Sequence, residues 1–143
     1  MVRQTGDSII AVLVKKGFIG RDNLHIALPK DDNCNLIFIL GIVNSKLVDF
    51  AYSMMNPEKG EVLAQVKKQH VEQLPIPNVP PEKQTPIVAL VEQILTAKKS
   101  PPAPLSHRGE QTDIPALEAE IDRLVYALYG LSDEEIVVVK GKA

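Results

Sequence analysis

The chain has 143 residues, 45% of them apolar and 24% charged, and 16 basic against 18 acidic residues give a net charge of −2. This length suits one compact domain, or a small domain with a helical appendage, and the composition excludes wholesale disorder. The net charge excludes a protein that binds nucleic acid through bulk positive charge alone. A single cysteine, Cys34, excludes a disulfide framework and a cysteine-based zinc site, and it is typical of a reducing, cytoplasmic location.

The first part of the chain predicts short strands and one long helix. Residues 7–14 are β-branched and apolar, which predicts a strand, and residues 23–28 predict a second strand that can pair with it as a hairpin. Residues 35–55 have the longest helical pattern and are apolar all round in their first half, so we expect a central buried helix. A short strand at 62–66 and a short helix at 67–74 are expected to follow.

A proline cluster divides the chain. Five of the 11 prolines lie within residues 75–86. Proline removes a backbone donor and favours extended geometry in the residue before it, so an extended connector is expected at 74–81. The charge changes at the same point, from +1 over residues 1–74 to −3 over residues 75–143. We therefore predict two regions, at 1–74 and at 75–143.

The second region predicts two amphipathic helices joined by a long loop. Residues 100–112 contain three prolines and lack periodicity, which indicates a mobile loop. Asp113 is a suitable N-cap for the second helix, Pro115 fits its first turn, and Gly130 ends it. The apolar stripe of the first helix is Ile87, Leu90, Val91, Ile94 and Leu95, and that of the second is Leu117, Ile121, Leu124, Val125 and Leu128.

The end of the chain is ambiguous at the level of sequence. Ser132 and Glu135 have capping-box spacing, which predicts a short last helix or turn, although residues 136–139 also fit a strand. The two striped helices and the loop between them indicate a helical hairpin or arm. Together the two regions predict an α+β protein, with a small β-containing half-domain followed by helices.

The residues that catalysis requires are not apparent. There is no phosphate-binding glycine loop, and His25, His70 and His107 lack the spacing of metal ligands. The carboxylates of residues 110–122 fit a solvated helix face. We therefore expect no catalytic residue, no metal site and no cofactor in this chain. The longest apolar run, residues 36–43, is far shorter than the roughly 20 residues that cross a bilayer, so no membrane partner is expected.

Small basic clusters lie beside predicted turns, where side chains can reach a phosphate or a base edge. Arginine and lysine pair with guanine, glutamine pairs with adenine, and a glycine lets the backbone approach a ligand. Lysines that are merely solvated are the alternative interpretation. The candidate DNA-binding residues are Arg3, Gln4, Lys15, Lys16, Arg21, Lys59, Gly60, Lys67, Lys68 and Gln69.

Four sequence motifs, taken in their order along the chain, suggest a protein family. They are NSKL at 44–47, NPEKGEVLAQVKKQHVEQLPIP at 56–77, PPEKQTPIVALVEQIL at 80–95 and ALEAEIDRLVYALYGLSDEEI at 116–136. In this order they resemble the C-terminal specificity region of TaqI-like DNA methyltransferases and fused type II restriction–modification enzymes. The specificity subunits of type I restriction systems are similar in the same order.

The resemblance implies a function and a set of partners. A DNA target recognition half-domain with a central buried helix is expected at 1–74, and a helical scaffold at 75–143. The chain is expected to be a non-catalytic C-terminal fragment of a restriction–modification enzyme that recognises double-stranded DNA for a catalytic methyltransferase or nuclease domain or subunit. The alternative is a helical protein–protein module of the same kind of complex, without direct DNA contact. A homodimer through the C-terminal helices is compatible with either interpretation.

Overall fold

The computed structural model of the chain describes residues 1–56, 58, 60–99 and 112–141. These residues form an α+β fold that is mostly helical, as the sequence predicts. The predicted mobile loop at 100–112 lies almost wholly outside the described residues. The elements are β1 (Val2–Arg3), β2 (Leu24–His25), α1 (Leu36–Val43), α2 (Lys46–Met55), α3 (Lys68–Glu72), α4 (Pro81–Lys99), α5 (Ile114–Leu128) and α6 (Asp133–Gly141).

The small sheet pairs different segments from those that the sequence predicts. β1 is antiparallel to β2, with Val2 opposite His25, so the predicted hairpin between residues 7–14 and 23–28 is wrong. The strand at 7–14 is also wrong, because only Ala11 makes a bridge, to Val2. The side-chain amide of Asn44 occupies both backbone groups of Ala11, at 2.9 Å each, in place of a neighbouring strand.

The single helix predicted at 35–55 is two helices. α1 and α2 are bent by 63° at their break, where the buried Ser45 donates its hydroxyl to the Ile42 carbonyl at 2.7 Å and caps α2. The two helices still form the buried centre, with Phe38 and Ile42 in α1 and Tyr52 in α2 enclosed. Among the described residues no single helix is long and apolar enough to cross a bilayer, and α1 and α2 pass that test only as a bent pair.

The core continues across the proline cluster. α4 packs on α1 and on α5, and its buried residues Ile87, Val91 and Ile94 belong to the predicted apolar stripe. They join Phe38 and Ile42 of α1 in one buried cluster. The connector at 75–80 contains neither helix nor strand. The division of the chain near residue 74 stays a prediction.

The ends of the C-terminal helices follow local signals in the sequence. The Asp113 carboxylate accepts the Ala116 N–H at 3.2 Å, and Gly130 takes a left-handed φ of 68° after α5. The Ser132 N–H donates to Glu135 at 2.8 Å, and the Glu135 N–H donates to the Ser132 hydroxyl at 3.3 Å, which completes the capping box. Residues 136–139 are therefore helical, and the strand alternative is wrong.

Candidate nucleic-acid interface

Three chain segments meet around β1 and position the first candidate residues. The Gln4 N–H donates to the Asn23 carbonyl at 3.1 Å, and the Gln4 carbonyl accepts the Val66 N–H at 2.7 Å. The imidazole Nε2 of His25 forms a hydrogen bond with the Val66 carbonyl at 2.6 Å, which gives this histidine a structural role. We call residues 2–6, 23–25 and 64–66 the N-terminal platform. It brings Arg3 and Gln4 close in space to segments that the sequence separates by 20 to 60 residues.

Arg3 projects from this platform, and its side chain folds over Gly6. A Cβ atom at Gly6 would lie 2.5 Å from Arg3 Nη2, and Gly6 has a φ of 131°, so only glycine fits without strain. The Arg3 side chain is exposed and forms no ion pair with another described residue. Its guanidinium therefore keeps its donors available for an anion such as a phosphate.

Lys15, Lys16 and Arg21 lie in the loop between Ala11 and β2. All three are exposed, and within the described ranges none of them has a carboxylate partner. Both lysines line an apolar groove of about 440 Å³ together with the exposed side chains of Phe18 and Leu28. The structure thus joins unpaired positive charge to an exposed apolar surface in one loop.

The remaining candidates lie around α3, and two of them already have partners. Lys67 Nζ is 2.6 Å from Glu58, and Lys68 Nζ is 3.4 Å from Glu72. The hydrogen bond from Lys67 lowers the pKa of Glu58 below its usual range. Gln69 is exposed, and Gly60 forms an exposed turn with a φ of 89°. Lys59 lies outside the described residues.

Two apolar residues beside this turn are exposed, which no pattern in the sequence predicts. Val62 and Leu63 are 99% and 83% exposed, and the strand predicted at 62–66 forms only the bridge of Gln65 to Thr5. Ala64 and Val66 are both buried, and in the sequence Val62 continues their alternation. A turn closed by the Ala64 N–H on the Glu61 carbonyl interrupts it and turns Val62 and Leu63 to the solvent.

A cluster of buried polar side chains supports the chain segment next to Val62 and Leu63. Asn56 Nδ2 donates to the Tyr52 hydroxyl at 2.8 Å, and the hydroxyl donates to the Gln65 carbonyl at 3.4 Å. The ring of His70 packs edge-on against Tyr52, with 5.9 Å between ring centres. Across the ranges that the structure describes, no three His, Cys, Asp or Glu side chains are grouped to hold a metal ion. The cluster therefore holds the backbone at Gln65.

The first part of the chain matches a known protein family. The family model of the TaqI-like C-terminal specificity domain matches residues 1–76, which is more than half of the chain. The chain belongs to this family. No curated protein and no solved structure matches it. The match confirms the resemblance to this family and includes all ten candidate DNA-binding residues, whereas the motifs at 80–95 and 116–136 lie beyond it.

A TaqI-like specificity domain recognises the DNA target of a restriction–modification enzyme, and it is not itself catalytic. The family therefore implies DNA and a catalytic domain as partners in general. In this specificity domain, the N-terminal platform and the loop of Lys15, Lys16 and Arg21 present four exposed cations that have no ion pair with a described carboxylate. The assignment of individual residues to DNA contacts stays a prediction.

Proposed function

We propose that this TaqI-like specificity domain reads a short sequence in double-stranded DNA for a methyltransferase or nuclease domain or subunit of a restriction–modification system. In this proposal the chain supplies recognition only, needs no cofactor of its own, and works in the cytoplasm as the C-terminal part of such an enzyme. The family match at residues 1–76 is the observation that carries the proposal.

The surface charges indicate that the candidate residues contribute to DNA binding in different ways. Arg3, Lys15, Lys16 and Arg21 are exposed and unpaired with respect to the described carboxylates, so they can contact phosphates without breaking an existing ion pair. Lys67 and Lys68 must each exchange a carboxylate partner for a phosphate, which makes their net contribution to DNA affinity smaller. Sequence is then read by side chains that reach base edges, for which Gln4 and Gln69 have suitable amides.

A helical protein–protein module without DNA contact is the second candidate function. Its support is the apolar surface that the helices and loops leave uncovered. Phe18 and Leu28 are exposed along the groove, and Val137 and Val138 are exposed on α6. An apolar surface of this kind is common at protein interfaces, and it also suits the docking of a catalytic domain.

In vitro selection from random duplex DNA distinguishes these two functions. We expect the full chain to enrich one short sequence, and we expect an Arg3→Ala/Arg21→Ala variant to lose both enrichment and affinity. Lys98→Ala/Lys99→Ala, at the end of α4, is the matched control and should enrich the same sequence. If no sequence is enriched while sedimentation shows a stable dimer, the protein–protein module is correct and the DNA proposal is wrong.

A further inference from the structure

The turn between α1 and α2 contacts two distant parts of the chain. On one side, Asn44 Oδ1 accepts the Ala11 N–H and Asn44 Nδ2 donates to the Ala11 carbonyl, both at 2.9 Å. The neighbouring Ile10 carbonyl accepts the Arg3 N–H at 3.0 Å. The Asn44 side chain therefore fixes the segment that connects Arg3 of the platform with the loop of Lys15 and Lys16.

On its other side the turn is held from the C-terminal region. The carboxylate of Asp122, in α5, accepts the N–H of Lys46 at 2.9 Å, across 76 residues of chain. Lys46 is the first residue of α2, where backbone N–H groups have no partner within the helix and where the helix dipole favours a negative charge. Asp122 thus supplements the Ser45 cap at this helix end.

Asp122 is a carboxylate in the interior of the protein, so the solvated helix face expected for the carboxylates of residues 110–122 is wrong at this position. It is 8% exposed, and burial is the main factor that raises its pKa. The charged groups that face it are Lys46 on α2 and Lys140 on α6, which lower the pKa, and Glu118 on α5, which raises it. Within the part of the chain that the structure describes, its side chain makes one hydrogen bond, to the Lys46 N–H, which indicates that this contact is the reason for a carboxylate at the position.

We propose that Asp122 is a positioning residue of the specificity domain, which acts through Lys46 and Asn44 to hold Ala11 and, with it, the Arg3 and Lys15–Lys16 cations. The helical region is then more than a spacer, because it sets the arrangement of the surface that faces DNA. The statement about DNA rests on the proposed function, whereas the coupling of Asp122 to Ala11 does not.

Nuclear magnetic resonance of the full chain tests the coupling without DNA. As pH rises from 3 to 7, ionisation of Asp122 should shift the Lys46 amide resonance with a midpoint above 3.8, the ordinary value of an aspartate. The Ala11 amide should titrate with the same midpoint, and both transitions should vanish in Asp122→Asn. A Lys46 titration that Ala11 does not follow would overturn the proposal.

Amide hydrogen exchange gives a second, independent measurement. Asp122→Ala should speed exchange at Ala11 and Lys46 at least ten-fold, whereas Asp122→Asn, which keeps an acceptor oxygen, should stay within two-fold of the wild type. Asp113→Ala, which removes the α5 cap and touches neither residue, is the control for general weakening of α5. Equal acceleration in Asp113→Ala and Asp122→Ala would show that only helix stability matters and would overturn the proposal.

Combining Asn44→Ala with Asp122→Ala tests whether the two side chains act on Ala11 together. If the two residues act in one chain of contacts, Asn44→Ala should speed exchange at Ala11, and adding Asp122→Ala should change it by less than two-fold. Independent, multiplying effects on the exchange rate at Ala11 would contradict the coupling.

For wild-type protein that binds DNA, Asp122→Ala should weaken binding at least five-fold and Asp122→Asn should restore it. Absence of wild-type binding would refute the proposed function while leaving the amide results to decide the coupling.

Discussion

Gly41 of α1 lies directly against Ile87 of α4, where a Cβ atom on the glycine would be 2.8 Å from Ile87 Cγ2. The same atom would be 2.9 Å from Val91 Cγ2. This close approach joins the first helix of the specificity domain to the scaffold helix after the prolines. Both partners are themselves buried, so neither can move aside without disturbing the core.

The first prediction follows from this contact. Gly41→Ala should lower the free energy of unfolding by about 1–3 kcal/mol, because the overpacked methyl outweighs the gain of about 1 kcal/mol that alanine brings in a helix. Gly141→Ala, in α6 with open space around its Cβ, is the control and should be neutral or slightly stabilising. Urea unfolding of the three proteins measures the difference. A stabilised Gly41→Ala protein would show that α1 and α4 are not in close contact.

The second prediction concerns the apolar stripe of α5. Ile121 is 6% exposed and Glu118 is exposed on the same helix. Ile121→Asp should destabilise the protein by several kcal/mol because it buries an unpaired carboxylate, whereas Glu118→Ala should stay within about 0.5 kcal/mol of the wild type. Thermal unfolding checks this. Equal melting temperatures for the two variants would mean that the stripe is not buried.

The helices were predictable because their signals are local. The caps at Asp113 and Ser132 and the stripe of α4 depend on residues within a few positions of one another. The strand pairing was not predictable, because it joins segments far apart in the chain. The break between α1 and α2 has a local cap in Ser45, but the contacts that hold it also come from far along the chain. Asn44 takes the hydrogen-bonding groups of Ala11 from 33 residues away, and Asp122 holds the start of α2 from 76 residues away. No pattern within a window of 20 residues contains either contact.

For the candidate DNA-binding residues, the sequence indicates surface exposure, while their contact with DNA stays a prediction. The exposure of the basic residues follows from their place beside turns. The pairing of Lys68 with Glu72 could be read from their i, i+4 spacing, but that of Lys67 with Glu58 could not, because a turn of the chain brings them together. The exposure of Val62 and Leu63 could not be predicted from a short strand at 62–66, because it depends on the turn that the Ala64 N–H closes on the Glu61 carbonyl.

The third prediction is a pH dependence caused by Asp122. Burial raises its pKa in the folded protein above the unfolded value of about 3.8, so the folded state binds more protons between these two values. The contribution of Asp122 to the free energy of unfolding is therefore greatest below the unfolded pKa and falls as pH rises through the folded pKa. Other carboxylates, such as Glu58, have lowered pKa values and act in the opposite direction.

A comparison of the wild type with Asp122→Asn isolates this contribution, because the other carboxylates are common to both. The variant should gain stability relative to the wild type as pH rises from 4 to 7, and the difference should level off once Asp122 is ionised. Urea unfolding at half-unit pH steps measures it. A difference that does not change with pH would mean that Asp122 has the same pKa in the folded and unfolded states.

The last prediction separates free cations from paired ones in DNA binding. Each phosphate contact adds about −0.9 to the slope of log K against log salt concentration. Lys15→Ala/Lys16→Ala should therefore make the slope shallower by up to about 2. Lys67→Ala/Glu58→Gln removes an ion pair of 2.6 Å without changing net charge and should leave the slope nearly unchanged, because Lys67 must give up Glu58 before it binds a phosphate.

Lys98→Ala/Lys99→Ala controls for loss of charge elsewhere. Fluorescence anisotropy at several salt concentrations measures all four proteins. If removal of the Lys67–Glu58 pair flattens the slope as much as loss of Lys15 and Lys16 does, the ion pair opens on DNA and the interface extends to α3.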